Sequence, residues 1–169
     1  MIRPFNVLFL CTGNSARSIL SEAILNSEGE GRFQAFSAGS FPKGEVHPAA
    51  LALLGELGYA TEGYRSKSWD EFAVSDAPPL DFIFTVCDNA AGEVCPIWQG
   101  KPVTAHWGIE DPAAVEGDRQ SEAFRQAYLA LKRRIDLLLA LPVASLDELA
   151  LAEQLRAIGK TADEEAALG

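Results

Sequence analysis

The run Cys11-Thr12-Gly13-Asn14-Ser15-Ala16-Arg17-Ser18 sets a cysteine and an arginine at the two ends of a Gly/Asn/Ser-rich turn, with a serine following the arginine. It comes directly after the apolar stretch Asn6-Val7-Leu8-Phe9-Leu10 and before a helical pattern. Successive backbone N–H groups in such a turn, with those of the following helix N-terminus, make a positive nest for an anion. The same field favours the thiolate of a cysteine held there, and can bring its pKa into a range of roughly 3.5–7.5. Arg17 adds a planar fork of donors matched to two oxygens of a tetrahedral anion. Ser18 stands where its hydroxyl can donate to the thiolate, and no proline in the loop removes an N–H. A bland reading, with Cys11 a small buried hydrophobe, Gly13 a turn residue and Arg17 a surface charge, explains a lone cysteine. It leaves the strand, turn and helix around this one unexplained.

Two further features bear on the chemistry. Asp111-Pro112 is by itself a common turn signal. Next to a nucleophile loop, a carboxyl group across the pocket can protonate the oxygen that departs when sulfur attacks. Cys87 and Cys95 bracket residues 88–94. Cys87 closes an apolar stretch whose C-terminal edge opens on the same crevice as the loop, so it can approach Cys11. Cys95 can reach Cys87 if the segment containing Gly92 and bounded by Pro96 rearranges. Two buried structural cysteines are the alternative. Hydrolysing a phosphate ester needs one cysteine, whereas reducing an oxyanion by two electrons and restoring the protein needs a thiol relay.

These groups need elements to hold them. Residues 5–10 read as a parallel strand covered on both faces, and Ile19, Leu20, Ala23 and Ile24 as a helix reaching Gly29 or Gly31. Phe33–Ala38 predicts a second strand closed by Gly39. Pro48 opens a helix with the apolar set Leu51, Leu54 and Leu57, stopped by Gly58. In the polar stretch 61–79, Trp69 and Phe72 are the packing points. Leu80–Val86 predicts the third strand, 87–100 a loop and Val103–Trp107 a short fourth strand. Phe124, Tyr128, Leu131, Ile135 and Leu138 give a long helix ending before Pro142; Leu146–Ile158 gives the last, and 160–169 a frayed tail. Residues 1–159 then form a single α/β domain, since strands alternating with helices imply a parallel sheet with right-handed crossovers. A flavodoxin-like four-stranded order of 2-1-3-4 puts the loop after the first strand at a topological switch point, where such folds bind ligands.

Composition narrows the partners. A chain of 169 residues with 48% hydrophobic content fits one domain with its own core, and no stretch approaches the ~18 apolar residues needed to span a bilayer. The N-terminal Met1-Ile2-Arg3-Pro4-Phe5 runs straight into the first strand, so the expected location is the cytoplasm. A formal net charge of −10 argues against nucleic acid or an anionic membrane as partner. It also repels anionic substrates at long range, so binding must come from the local donors of the loop. Three cysteines suit a reducing compartment better than a secreted disulfide scaffold. His47 and His106 lie far apart and no Cys-x-x-Cys pair exists, so no structural zinc site is expected.

Together the Cys11–Ser18 loop, Ser37-Ala38-Gly39, the stretch Thr85-Val86-Cys87 through Cys95-Pro96, and Thr104-Ala105-His106-Trp107-Gly108 leading to Asp111-Pro112 resemble the arsenate reductases built on the low-molecular-weight protein tyrosine phosphatase fold, of the thiol-relay, thioredoxin-coupled type. The resemblance implies that Cys11 attacks arsenate cradled by the amides of Thr12 to Ser18 and by Arg17, while Asp111 protonates the leaving oxygen. It implies that Cys87 then attacks Cys11, expelling arsenite, and that Cys95 attacks Cys87, leaving a Cys87–Cys95 disulfide for an external thiol. That reductant is thioredoxin or glutaredoxin with glutathione; phosphate and sulfate are competing anions, and no tightly bound cofactor is implied. Asn14, Glu22 and Ser37, with Asp70 as a further candidate, resemble part of a potassium site of some members. Two departures stand out: Ala16 replaces an additional cysteine found in some members, and Ala113 replaces the aromatic that related phosphatases place after Asp-Pro. The second favours a small inorganic substrate. Two other functions remain open at this point: a phosphotyrosine or other phosphomonoester phosphatase using Cys11, Arg17 and Asp111 alone, and a non-catalytic oxyanion-binding redox module.

Overall fold

The computed structural model describes residues 4–87 and 102–168. Four parallel strands, β1 (Phe5–Leu10), β2 (Phe33–Ala38), β3 (Phe82–Thr85) and β4 (Val103–His106), form one sheet in the order β2-β1-β3-β4. The helices are α1 (Arg17–Glu28), α2 (Pro48–Glu56), α3 (Gln120–Ala140) and α4 (Glu148–Leu168). This is the expected α/β topology, with the loop after β1 at the sheet's reversal point. Central β1 buries Val7, Leu8, Phe9 and Leu10 almost completely, as an apolar run sealed on both faces must. Its register sets Phe9 beside Ser37 and Phe84, and Leu10 beside Ala38 and Thr85, so the ends of β2 and β3 border the loop.

Both later strands are shorter than the apolar runs suggest. Their pairing nevertheless continues: the Val86 N–H donates to Leu10 O at 2.8 Å and the Trp107 N–H to Thr85 O at 2.7 Å. α2 starts where proline predicts, with His47 Nδ1 accepting the Ala49 N–H at 3.0 Å. Its core face is Ala50, Leu53 and Leu54, however, while Leu57 lies beyond the helix and is partly exposed. α4 also departs from expectation. The backbone of the predicted frayed tail continues as helix to Leu168, consistent with the strong helix formers Lys160, Ala162, Glu164, Glu165, Ala166, Ala167 and Leu168.

The end of β4 is fixed to the helices by Trp107. Its ring stacks on Phe84 at 3.8 Å between centroids and 14° between planes, and its indole N–H donates to Leu155 O at 2.9 Å. Arg134 of α3, almost completely buried, donates to the Trp107 carbonyl and lies 3.5 Å from that of Gly159. A Cβ on Gly159 would stand 2.2 Å from His106 O, so α4 can pack this closely only with glycine there. These contacts hold the chain from which residues 108–111 run to the pocket.

Candidate active site

The loop is shaped by bonds to its carbonyls. Thr12 O accepts the Phe41 N–H at 3.0 Å, Gly13 O accepts the Lys43 N–H at 3.0 Å and the Ser66 hydroxyl at 3.0 Å, and Ser15 O accepts the His47 N–H at 2.9 Å. In a planar trans peptide the carbonyl and the next N–H point in opposite directions. Tying these oxygens outward therefore turns the N–H groups of Gly13, Asn14 and Ala16 inward. Asn14 adopts φ of 44°, a left-handed conformation that asparagine tolerates. Its side chain is completely buried: Oδ1 accepts the Lys67 N–H at 2.8 Å and Nδ2 donates to Ser18 Oγ at 2.8 Å. Gly39 is needed for the close approach of β2, because a Cβ there would stand 2.4 Å from Thr12 O and 2.7 Å from Cys11 O.

Cys11, Thr12, Gly13, Ser15, Ala16 and Arg17 line a pocket of about 180 Å³ whose remaining wall is Phe41, Lys43 and Asp111. That volume is below the roughly 300–1,000 Å³ typical of sites for drug-sized ligands and suits a small anion. Arg17 opens α1; its Nη1 donates to Ile109 O at 2.9 Å, and its Nη2 lies 3.8 Å from Asp111 Oδ2. Its Nε is buried with no hydrogen-bond partner among the described residues. Asp111 uses Oδ1 to cap the short helix Pro112–Ala114, accepting the Ala113 N–H at 3.0 Å. The turn and acid readings of this residue thus use different oxygens.

Cys87 is brought to Cys11. The Thr12 N–H donates to Cys87 Sγ at 3.3 Å, and the thiols of Cys11 and Cys87 are hydrogen-bonded to each other. That bond, followed by burial, pushes the Cys11 thiol well above the ordinary thiol range, against the pull of Arg17 and the Gly13 N–H. The expected thiolate is therefore not the favoured state in this arrangement. Ser18, expected to serve the thiolate, accepts from Asn14, and the sulfur's side-chain partner is Cys87. Cys95 lies outside the described residues.

The residues that resemble a potassium site are already engaged. Ser37 Oγ donates to Glu22 Oε1 at 2.5 Å, Asn14 Oδ1 accepts the Lys67 N–H at 2.8 Å, and Lys67 Nζ stands 4.0 Å from Glu22 Oε1. A lysine ammonium already offsets the carboxylate, so this set does not fit a bound cation. Asp70 sits in the first turn of the helical turn Trp69–Phe72. Among the described residues, no His/Cys/Asp/Glu cluster has the make-up of a metal site, and no helix is long and apolar enough to cross a membrane. Lys43, Phe41, Ser66 and Lys67 were not apparent as site residues from sequence. The only hint was that Ser37-Ala38-Gly39 ends a strand paired with β1.

Residues 6–153 match the family model described as low molecular weight phosphotyrosine protein phosphatase. An arsenate reductase of Halalkalibacterium halodurans is 32% identical over 131 residues, 76% of this chain and 91% of that protein. A glutaredoxin arsenate reductase of Synechocystis sp. is 30% identical over 135 residues, 79% of this chain and 95% of that protein. The solved structure of an arsenate reductase in the phosphate-binding state superimposes with a TM-score of 0.67 at 28% identity, covering 80% of this chain and 97% of that one.

Proposed function

Because the chain belongs to the low molecular weight phosphotyrosine protein phosphatase family, with relatives named as arsenate reductases matching 76% and 79% of this chain, we propose that it is an oxidoreductase that reduces arsenate to arsenite through Cys11, Cys87 and Cys95. The observation that carries this reading is the second sulfur. Cys87 is hydrogen-bonded to the Thr12 N–H and to Cys11, both of which line the oxyanion-sized pocket, a position that ester hydrolysis does not require.

In the proposed sequence, the inward amides and Arg17 hold the arsenate oxygens, and the unpartnered Arg17 Nε supplies a donor. Cys11, once its thiol proton has passed to solvent, attacks arsenic as thiolate, an As–O bond breaks, and Asp111 gives its proton to the departing oxygen. Cys87 as thiolate then attacks Cys11 sulfur. The S–S bond forms as the S–As bond breaks, and its electron pair stays on arsenic, which leaves as arsenite. Cys95 next displaces Cys11 from Cys87, and an external dithiol, thioredoxin or glutaredoxin with glutathione, reduces the Cys87–Cys95 disulfide. Neither thiol donor requires a cofactor bound to this chain.

A phosphatase reading has one observation in its favour: Phe41, 74% exposed at the pocket rim, offers a face to an aryl ester. Steady-state NADPH consumption with arsenate and a thioredoxin or glutaredoxin system, set against p-nitrophenol release from its phosphate ester, decides between the two. Rapid ester hydrolysis without arsenate-dependent NADPH oxidation by either donor system would overturn the reductase reading.

A further inference from the structure

Behind the loop lies a buried charge pair that the proposed chemistry does not use. Lys67 and Glu22 side chains are only 9% and 15% exposed, with Nζ 4.0 Å from Oε1. Ser37 donates to the same carboxylate oxygen at 2.5 Å, and Lys67 Nζ donates to Arg65 O at 3.0 Å. Burial pulls both groups toward their neutral forms: it raises the Glu22 carboxyl and lowers the Lys67 ammonium, while each opposes the shift of the other. Arg65 and Glu71, paired at 2.8 Å, also act on Lys67, and Arg65 acts on Glu22. Tyr64 feels Glu22 as well.

The pair joins two segments at the point where one of them grips the loop. Glu22 belongs to α1, which begins at Arg17. Lys67 belongs to the segment that pairs with Gly39, and its own N–H holds Asn14 Oδ1. We infer that the Lys67 ammonium is a tethered cation, a positioning residue that fixes residues 65–67 against α1 and so holds Asn14 and the oxyanion loop in binding geometry. The position that resembles a metal site in this chain is thus served by its own side chain. This inference rests on the loop being an oxyanion site.

The test compares wild type, Lys67→Met, Lys67→Arg and Glu22→Gln/Lys67→Met in potassium chloride and in choline chloride at equal ionic strength. Thermal midpoint and phosphate affinity are read for each. Wild type should respond equally to both salts. Lys67→Met leaves Glu22 buried and uncompensated, so its phosphate Kd should rise about tenfold or more and its midpoint fall by roughly 5–15 °C in choline. Potassium should restore part of both losses. Lys67→Arg should retain affinity, and the double variant should recover much of the midpoint and show no potassium response. A wild type that prefers potassium, or a Lys67→Met protein with unchanged phosphate affinity and no potassium response, would overturn the inference. If Lys67→Met folds in neither salt, a folded double variant supports it and an unfolded one sinks it. Loss of arsenate reduction with phosphate binding intact would count against the proposed reaction and leave this inference standing.

Discussion

The sulfur of Cys11, which lines the pocket, shares a hydrogen bond with that of Cys87, so the acidity of Cys11 depends on its neighbour. The thiolate is the reactive form, and the Cys87 bond is the largest influence raising the Cys11 pKa. Replacing Cys87 by alanine removes that influence, lowers the pKa and increases the thiolate fraction at neutral pH. Iodoacetamide should then alkylate Cys11 faster at pH 7 in Cys87→Ala than in wild type, with the rate–pH curve displaced to lower pH. An unchanged curve would assign the shift to burial alone. For Asp111→Asn, we expect formation of the Cys11–arsenate adduct to slow about 10²–10⁴-fold with phosphate affinity little changed, as for loss of a general acid. Rapid-quench measurement of the first turnover checks this, and an undiminished step would leave Asp111 only its cap on Ala113. That Cys11, Arg17 and Asp111 share a pocket was legible because the loop motif and the Asp-Pro pair after the fourth strand both face the ends of parallel strands. Lys43 and Lys67 were not, since a lysine in a polar stretch reads as solvated until the fold brings it to Gly13 or Glu22.

Among the elements, the strands were legible where an apolar run is closed by a change in chain chemistry: β1 by the loop and β2 by Gly39. The third and fourth strands were read too long because Leu80, Val86 and Trp107 are buried beyond the strand ends, and burial alone does not distinguish a strand from its flanks. α3 showed its period clearly, whereas the extension of α4 rests on helix-forming residues with little apolar pattern. The seam between α4 and β4 was invisible in sequence, because a glycine inside a helical stretch usually signals weakness rather than contact. Gly159→Ala should cost about 1–3 kcal/mol, since the added methyl must displace His106 or α4. Urea denaturation measures the loss. Arsenate turnover should fall as well, because the displaced strand end leads through Trp107 to Asp111. Stability equal to wild type would mean that the seam yields freely.

At the scale of the whole molecule, the order of the thiols separates a relay from a passive cysteine pair. Cys95→Ser should release about one arsenite per protein and stop as a Cys11–Cys87 disulfide, whereas Cys87→Ser should stall at the Cys11 adduct. Mass spectrometry after one arsenate addition distinguishes the products, and sustained turnover by Cys87→Ser would refute the relay. The parallel order β2-β1-β3-β4 favours the first of these exchanges, because Cys11 and Cys87 follow within two residues the C-terminal ends of adjacent β1 and β3. The loop itself is held by donors from residues 41, 43, 47, 66 and 67, so it is assembled only when distant parts of the chain have folded. Anion affinity is consequently also folding free energy. A ligand that binds only the folded chain adds RT ln(1 + [L]/Kd), about 2.7 kcal/mol at a hundredfold excess over Kd. If the proposed reaction holds, the ion that protects this molecule against heat in a phosphate-rich medium is also the ion that arsenate must displace, and thermal protection and competitive inhibition should report one constant.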